Sequence, residues 1–175
     1  MHAREGVSFP GSHPQPELAE PGQESVWDYP RPAIAEPTPR RIEIIHRGIG
    51  LADSRNAWRT LETSHPPTYY IPPSDIAMEY LRPNPRRTLC EWKGQARYFD
   101  IVMGDHRVEA AAWYYSDPAP SFARIKDYLA FYPDPLDRCC VDGEQVTPQP
   151  GGFYGGWISR FEVGPFKGGP GSRFW

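Results

Sequence analysis

The stretch TLCEWKGQARYFDI (residues 88–101), followed closely by AAWYYSDP (residues 111–118), decides the fold of this chain. Large and polar side chains alternate along both stretches, which is the period-2 pattern of a β-strand. The predicted faces are Phe99, Ile101 and Met103 against Tyr98 and Asp100 on the first strand, and Trp113 and Tyr115 against Ala112 and Tyr114 on the second. The short connection between the two strands favours antiparallel pairing.

The flanking segments predict further short elements. Strands are expected at residues 41–45, 51–52, 68–71 and 125–132, with a hairpin over residues 140–146 around an Asp-Gly turn. Asp53-Ser54 and Ser74-Asp75 are helix-capping pairs, and they predict short helices at residues 53–62 and 74–81. The predicted fold class is therefore α+β, mainly antiparallel β, with two short helices.

Proline and glycine divide the chain into three parts, because they concentrate at its two ends. We expect a Pro-rich N-terminal extension (1–39), a β-rich core domain (40–147) and an aromatic Gly/Pro-rich C-terminal arm (148–175). Proline favours extended backbone, so the segment with Trp27 and Tyr29 should lie across a surface. The many rings of both arms need cover, which predicts packing on the core or across a homodimer interface.

Charge and cysteine content exclude several classes of protein. A net charge of −3 and a pI near 5.9 argue against a nucleic-acid partner. No apolar run suits a signal peptide or a membrane span. The three cysteines include the adjacent Cys139 and Cys140 and form no even disulfide framework. We therefore expect reduced thiols and a cytoplasmic location, with no nucleic-acid and no membrane partner.

The candidate catalytic residues among the aromatic strands are Glu62, Cys90 and Lys93. Glu62 and His65 are three residues apart, a spacing at which they could act as acid and base, although His65 could equally be a turn residue bonded to backbone. Cys90 and Lys93 share a segment that Gly94 allows to bend. Cys90 is either a reactive thiol or a small buried hydrophobic residue, and we favour the second.

Aromatic side chains around these residues could wall a ligand pocket or simply fill the core. Alongside His65, the candidate ligand-binding residues are Tyr70, Tyr98, Trp113 and Tyr115. No paired Cys or His motif is present, so no metal ligand and no cofactor is predicted.

At these residues the chain resembles a bacterial and fungal family known as domain of unknown function 427. The resembling segments are residues 62–66, 70–72, 88–94, 112–115 and 125–132, within a match over roughly residues 40–146, and the flanks SVWDYPRP and GPFKGGPG are also similar. Members of the family often carry proline where Glu91 stands here. The resemblance implies a β-tent-like fold. Relatives of that shape hold zinc through two cysteine pairs, which this chain lacks.

The family is also labelled nucleotidyltransferase-like, but no Gly-rich turn followed by spaced carboxylates is present here. Our first hypothesis is instead a domain that binds a small-molecule ligand, with or without catalysis, in a pocket centred on Glu62 and Lys93. The alternatives are a non-catalytic protein-interaction or homodimerisation module, and a redox enzyme that uses Cys90.

Overall fold

Short strands joined by tight turns make up most of the molecule. A computed structural model describes residues 13–175. Its strands are β1 (Glu24–Ser25), β2 (Ile34–Pro37), β3 (Ile42–His46), β4 (Ile49–Ser54), β5 (Trp58–Leu61), β6 (Thr68–Tyr70), β7 (Leu81–Cys90), β8 (Gly94–Met103), β9 (His106–Tyr114), β10 (Ala130–Phe131), β11 (Arg138–Val141), β12 (Glu144–Gln145), β13 (Thr147–Pro148), β14 (Trp157–Ile158) and β15 (Glu162–Val163). Short 3₁₀ helices lie at Val26–Asp28, Pro73–Asp75, Met78–Tyr80 and Pro120–Ile125.

Antiparallel pairing dominates the sheets, as the sequence predicts. One four-stranded sheet has the order β10-β9-β8-β7, a second has the order β12-β11-β3-β4, and β2-β5-β6 form a third. Ile42 and Ile44 on β3 are fully buried, because strand alternation turns both toward the core. The hairpin around Asp142-Gly143 is present between β11 and β12. The β-tent arrangement that the resemblance implies stays a prediction.

The long β7–β8 hairpin separates two hydrophobic clusters. Ile101 and Met103 pack in the larger cluster, with the β3–β4 strands, while Tyr98 packs with Trp113 in the smaller one. The predicted opposite faces of these strands are thereby confirmed. At the hairpin tip Cys90 pairs with Gly94, whose φ of +110° suits glycine.

Both predicted helices are wrong. Asp53 and Ser54 end strand β4, and the residues that follow form β5, which pairs with β2 from the N-terminal extension. Residues 74–81 contain only two 3₁₀ turns, and Ile76 bridges Ala52 of β4. In both cases a sheet partner distant in sequence satisfies the backbone groups that a helix would have paired internally.

The strand predicted over residues 125–132 is also largely wrong. A 3₁₀ helix ends at Ile125, Asp127 has a left-handed φ of +62°, and strand β10 is limited to Ala130–Phe131. The left-handed Asp127 interrupts the extended backbone, and pairing of β10 with β9 begins only at Ala130.

The two arms pack against each other and on the core. Strand β1 pairs in parallel with β15, and the Trp27 indole donates a hydrogen bond to the Pro165 carbonyl. Trp157 is 1% exposed and belongs to the larger cluster, whereas Phe153 and Phe174 are more than 70% exposed. Residues 1–12 of the predicted extension lie outside the described residues. Within residues 13–175, no helix has the length and apolar character needed to cross a bilayer.

Candidate functional site

The eight candidate residues surround one cavity of about 440 Å³, which we call the main cavity. Its lining includes Glu62, His65, Tyr70, Cys90, Lys93, Tyr98, Trp113 and Tyr115. Glu62 and Lys93 therefore reach a common space walled by Trp113 and Tyr115. Whether any of these residues acts on a ligand stays a prediction.

Strand ends and strand alternation position these side chains. Glu62 directly follows β5, not a helix as the sequence suggested, and Tyr70 closes β6. Lys93 occupies the turn of the β7–β8 hairpin, and Trp113 lies opposite Tyr98 on the neighbouring strand. Residues from two different sheets and from the turn of the β7–β8 hairpin thus border one cavity.

Aromatic rings form the walls of the main cavity. Tyr70 meets Trp113 edge-on with ring centroids 6.5 Å apart, lies 6.3 Å from Tyr115, and Trp113 lies 4.6 Å from Tyr132. Burial raises the pKa of Tyr70 and of Tyr115, and it raises that of Tyr132 to about 12. These phenols are therefore neutral at physiological pH and can donate or accept hydrogen bonds.

Residues both near to and far from Glu62 in the sequence keep its side chain ionised. Burial alone would raise its pKa, but the hydrogen bond from His65 and the positive charges of Lys93 and Arg31 outweigh burial and lower that pKa. The His65 Nε2 lies 3.3 Å from Glu62 Oε2, and the Arg31 guanidinium lies 3.5 Å from the same oxygen. Glu62 is thus ionised at neutral pH.

Lys93 is a half-buried cation with few partners. Its Nζ donates to Cys90 Sγ at 3.6 Å and lies 5.5 Å from the centre of the Phe122 ring. Among residues 13–175, no carboxylate comes within 4.0 Å of this ammonium group. Burial works against its charge, but interactions with Tyr70, Cys90 and Glu62 outweigh burial and raise the pKa of Lys93. The ammonium group keeps its proton and has hydrogen-bond donors to spare.

The C-terminal arm supplies the wall that the sequence analysis missed. Tyr154 packs edge-on to His65 with centroids 4.7 Å apart, and Gln149 Nε2 lies 3.0 Å from His65 Nδ1. Gly155 lies so close to the Trp113 indole that a Cβ atom would come within 2.9 Å of Cζ3 and closer still to Cη2. Other lining residues outside the candidate set include Arg86, Thr88, Tyr132, Phe153 and Lys167. The one available signal was the Gly155-Gly156 pair among rings, which is typical of close backbone approach.

In the described part of the chain, no group of three or more His, Cys, Asp or Glu side chains is arranged to hold an ion. Cys139 and Cys140 lie in β11 and are buried, and burial raises the pKa of Cys139 to about 12. Cys90 is thus the cysteine that borders the main cavity.

Comparison with known proteins bears on the family alone. No curated protein matches the sequence. A family model matches residues 34–142, which include most of the lining but not Gln149. Arg31, which contacts Glu62 without lining the cavity, also lies outside the matched range. Over that range, which covers more than half of the sequence, the chain belongs to the family described as Domain of unknown function (DUF427).

Proposed function

We propose that the main cavity binds a small, flat organic molecule that carries an anionic group. The observation that supports this is Lys93, a half-buried cation facing an aromatic cavity without a carboxylate partner in residues 13–175. A buried charge is costly unless it is paired, so a site of this kind favours a ligand that supplies the opposite charge.

The shape and walls of the cavity agree with such a ligand. A volume of about 440 Å³ falls within the range of small-molecule sites, and the rings of Tyr70, Trp113 and Tyr115 offer flat apolar faces. Arg86 and Lys167 also line the cavity, which adds positive charge near its walls. In this proposal Lys93 binds the anion, the rings bind the flat part, and ionised Glu62 is the polar anchor and the group that could accept a proton.

The test compares two probes of nearly equal shape, 2-naphthoate and its neutral amide 2-naphthamide, by calorimetric titration. We expect the carboxylate to bind more tightly by about tenfold or more, since hydrogen bonds to charged groups contribute about 1.5–3 kcal/mol. Lys93→Met should remove this preference. The control Lys126→Met changes a lysine that is exposed and outside the cavity lining, and it should retain the preference.

Two results would contradict the proposal. One is equal affinity for the two probes in the unmodified protein. The other is the absence of binding by either probe up to millimolar concentration, because a preformed aromatic cavity should hold a naphthalene ring at least weakly.

An interaction module is the second candidate function, and exposed apolar side chains favour it. Leu89 is 82% exposed and Phe153 is 71% exposed, and both border the main cavity. Such side chains at a surface are typical of protein contacts when they form a contiguous patch. Light scattering of the protein and of a double Leu89→Ser, Phe153→Ser variant tests this. If the unmodified protein is a dimer and the double variant is a monomer, the result would support the interaction module. If both proteins are monomers, the result would contradict self-association.

A further inference from the structure

We infer that Gln149, on the C-terminal arm, is a positioning residue: it fixes the His65 ring with its proton on Nε2, so that Glu62 offers the ligand a free acceptor oxygen. The ligand group that contacts Glu62 is then a hydrogen-bond donor, a hydroxyl or an amino group. This second part rests on the proposed function, whereas the state of His65 does not.

The orientation of the Gln149 amide follows from its partners on both sides. Its Nε2 donates to the Lys167 carbonyl at 2.8 Å, and its Oε1 accepts from the backbone N–H of Gly156 at 3.2 Å. Rotating the amide by 180° would place an oxygen against the Lys167 carbonyl and an NH₂ group against the Gly156 N–H. The flipped amide would lose both hydrogen bonds, so the network assigns the amide nitrogen to the side that faces His65.

The state of His65 follows from that orientation. The Gln149 NH₂ group can only donate, so His65 Nδ1, 3.0 Å away, must accept and therefore lacks a proton. In the neutral ring the proton is then on Nε2, which lies 3.3 Å from Glu62 Oε2. The Gln149 amide thus donates to Nδ1 of His65, and the protonated Nε2 faces the Glu62 carboxylate.

The same contacts decide which oxygen of Glu62 is free. Both His65 and Arg31 approach Oε2. Among the described residues, Oε1 receives no hydrogen bond, and the Glu62 side chain borders the main cavity. An ionised carboxylate accepts hydrogen bonds and donates none, so a ligand group at Oε1 must be a donor.

Two charged side chains of the lining therefore favour different groups on one molecule. Lys93 favours an anion and Glu62 favours a hydroxyl or amine, and aromatic side chains share the same lining. The matching class is a hydroxyl- or amino-substituted aromatic acid.

The first test measures the His65 ring directly in the full chain. Nitrogen-15 NMR of histidine-labelled protein, recorded across a pH series, distinguishes protonated from bare ring nitrogens. We expect protonated Nε2 and bare Nδ1 for His65, with its signals assigned by their loss in His65→Gln. An Nδ1 that stays protonated throughout the series in the unmodified protein would overturn the inference without any further variant.

A variant pair tests whether Gln149 is the cause. In Gln149→Glu the new carboxylate accepts a hydrogen bond where the amide donated one, so Nδ1 should carry a proton. Gln145→Glu makes the same change at an exposed residue outside the cavity lining and should leave His65 unchanged. An unchanged ring in Gln149→Glu would overturn the positioning role.

The ligand class is tested with hydroxynaphthoates and their methyl ethers, which lack the donor. We expect the best hydroxynaphthoate to bind about tenfold more tightly than its ether, since a site built to bond a hydroxyl rejects analogues without one. Glu62→Gln should reduce the difference. If naphthoates bind but donors bring no gain, the donor assignment is wrong; if none binds, the proposed function itself is wrong.

Discussion

Gly155→Ala is the substitution that the structure predicts most sharply. A Cβ at this position would lie 2.9 Å from Cζ3 and 3.2 Å from Cζ2 of Trp113, with Cη2 closer still. Carbon atoms in contact prefer about 3.5–4.0 Å, so either the arm or the indole must move. Trp113 is only 7% exposed and packs against Tyr70 and Tyr132, which leaves the ring little room.

The magnitude follows from overpacking. Inserting a methyl group into a well-packed site typically costs about 1–3 kcal/mol. For a chain of this length each kcal/mol lowers the melting temperature by about 2–4 °C. We therefore expect Gly155→Ala to melt roughly 2–12 °C below the unmodified protein, and to bind 2-naphthoate more weakly because the displaced indole is a wall of the cavity.

Gly169→Ala is the matched control within the same arm. A Cβ there would meet no atom within 4 Å, and its φ is not in the left-handed region. Its melting temperature, measured by circular dichroism, should stay within about 2 °C of the unmodified protein, since surface substitutions usually change stability by less than about 0.5 kcal/mol. If the two variants melt together, the arm does not close tightly on Trp113 and the description of this wall is wrong.

Three further predictions concern the arm, pH and metal. Deleting residues 148–175 removes the buried Trp157, so the truncated protein should melt clearly lower and bind a hydrophobic dye; an unchanged melt without dye binding would make the arm a passive tail. Burial, together with His106, lowers the pKa of His46, so the folded state binds a proton at this ring less readily than the unfolded chain does. The neutral ring therefore contributes to the free energy of unfolding. That contribution is fully present above the unfolded pKa of about 6.5 and is lost as pH falls through the lower folded pKa. Melting temperatures from pH 8 to pH 5 should show that loss, and His46→Gln should flatten it; equal slopes would contradict the assignment. A chelator should leave the melting temperature unchanged, and one zinc per chain by elemental analysis would refute this.

Local pattern was enough to predict the strands whose partners lie close in sequence. Alternation at Ile42 and Ile44 identified β3, whose neighbour β4 follows after a tight turn, and the Asp142-Gly143 turn identified the β11–β12 hairpin. Both signals are complete within about ten residues, and tertiary structure only confirms them.

Local pattern failed where pairing is distant. The apolar spacing of Ala57, Trp58 and Leu61 fits one face of a helix, yet β5 pairs with β2, more than twenty residues earlier. The β2 partner itself lies in a Pro-rich segment, and prolines are tolerated on an edge strand. Helix propensity contributes little free energy, so pairing with a distant strand determines the structure of this segment instead.

The candidate site shows the same division. Carboxylate, thiol, ammonium and ring side chains in residues 61–115 carry a chemical signal, and the fold brings the proposed ones to one cavity. Gln149 carries none: an amide in a Gly/Pro-rich tail has no local pattern, and its contact with His65 spans 84 residues.

Both arms contribute residues to the candidate site, so the functional unit is longer than the family match. The family match ends at residue 142 and begins at residue 34, while Arg31 and Gln149 lie outside it on opposite sides. Both residues act on the Glu62–His65 pair, Arg31 by contact with Glu62 and Gln149 through His65. A fragment cut to the family boundaries would keep Glu62 and Lys93 but lose the groups that orient Glu62 and the Gly155 wall against Trp113. Ligand measurements should therefore use the chain with both arms, because absence of binding by the shorter fragment would report the missing wall and not the chemistry of the core.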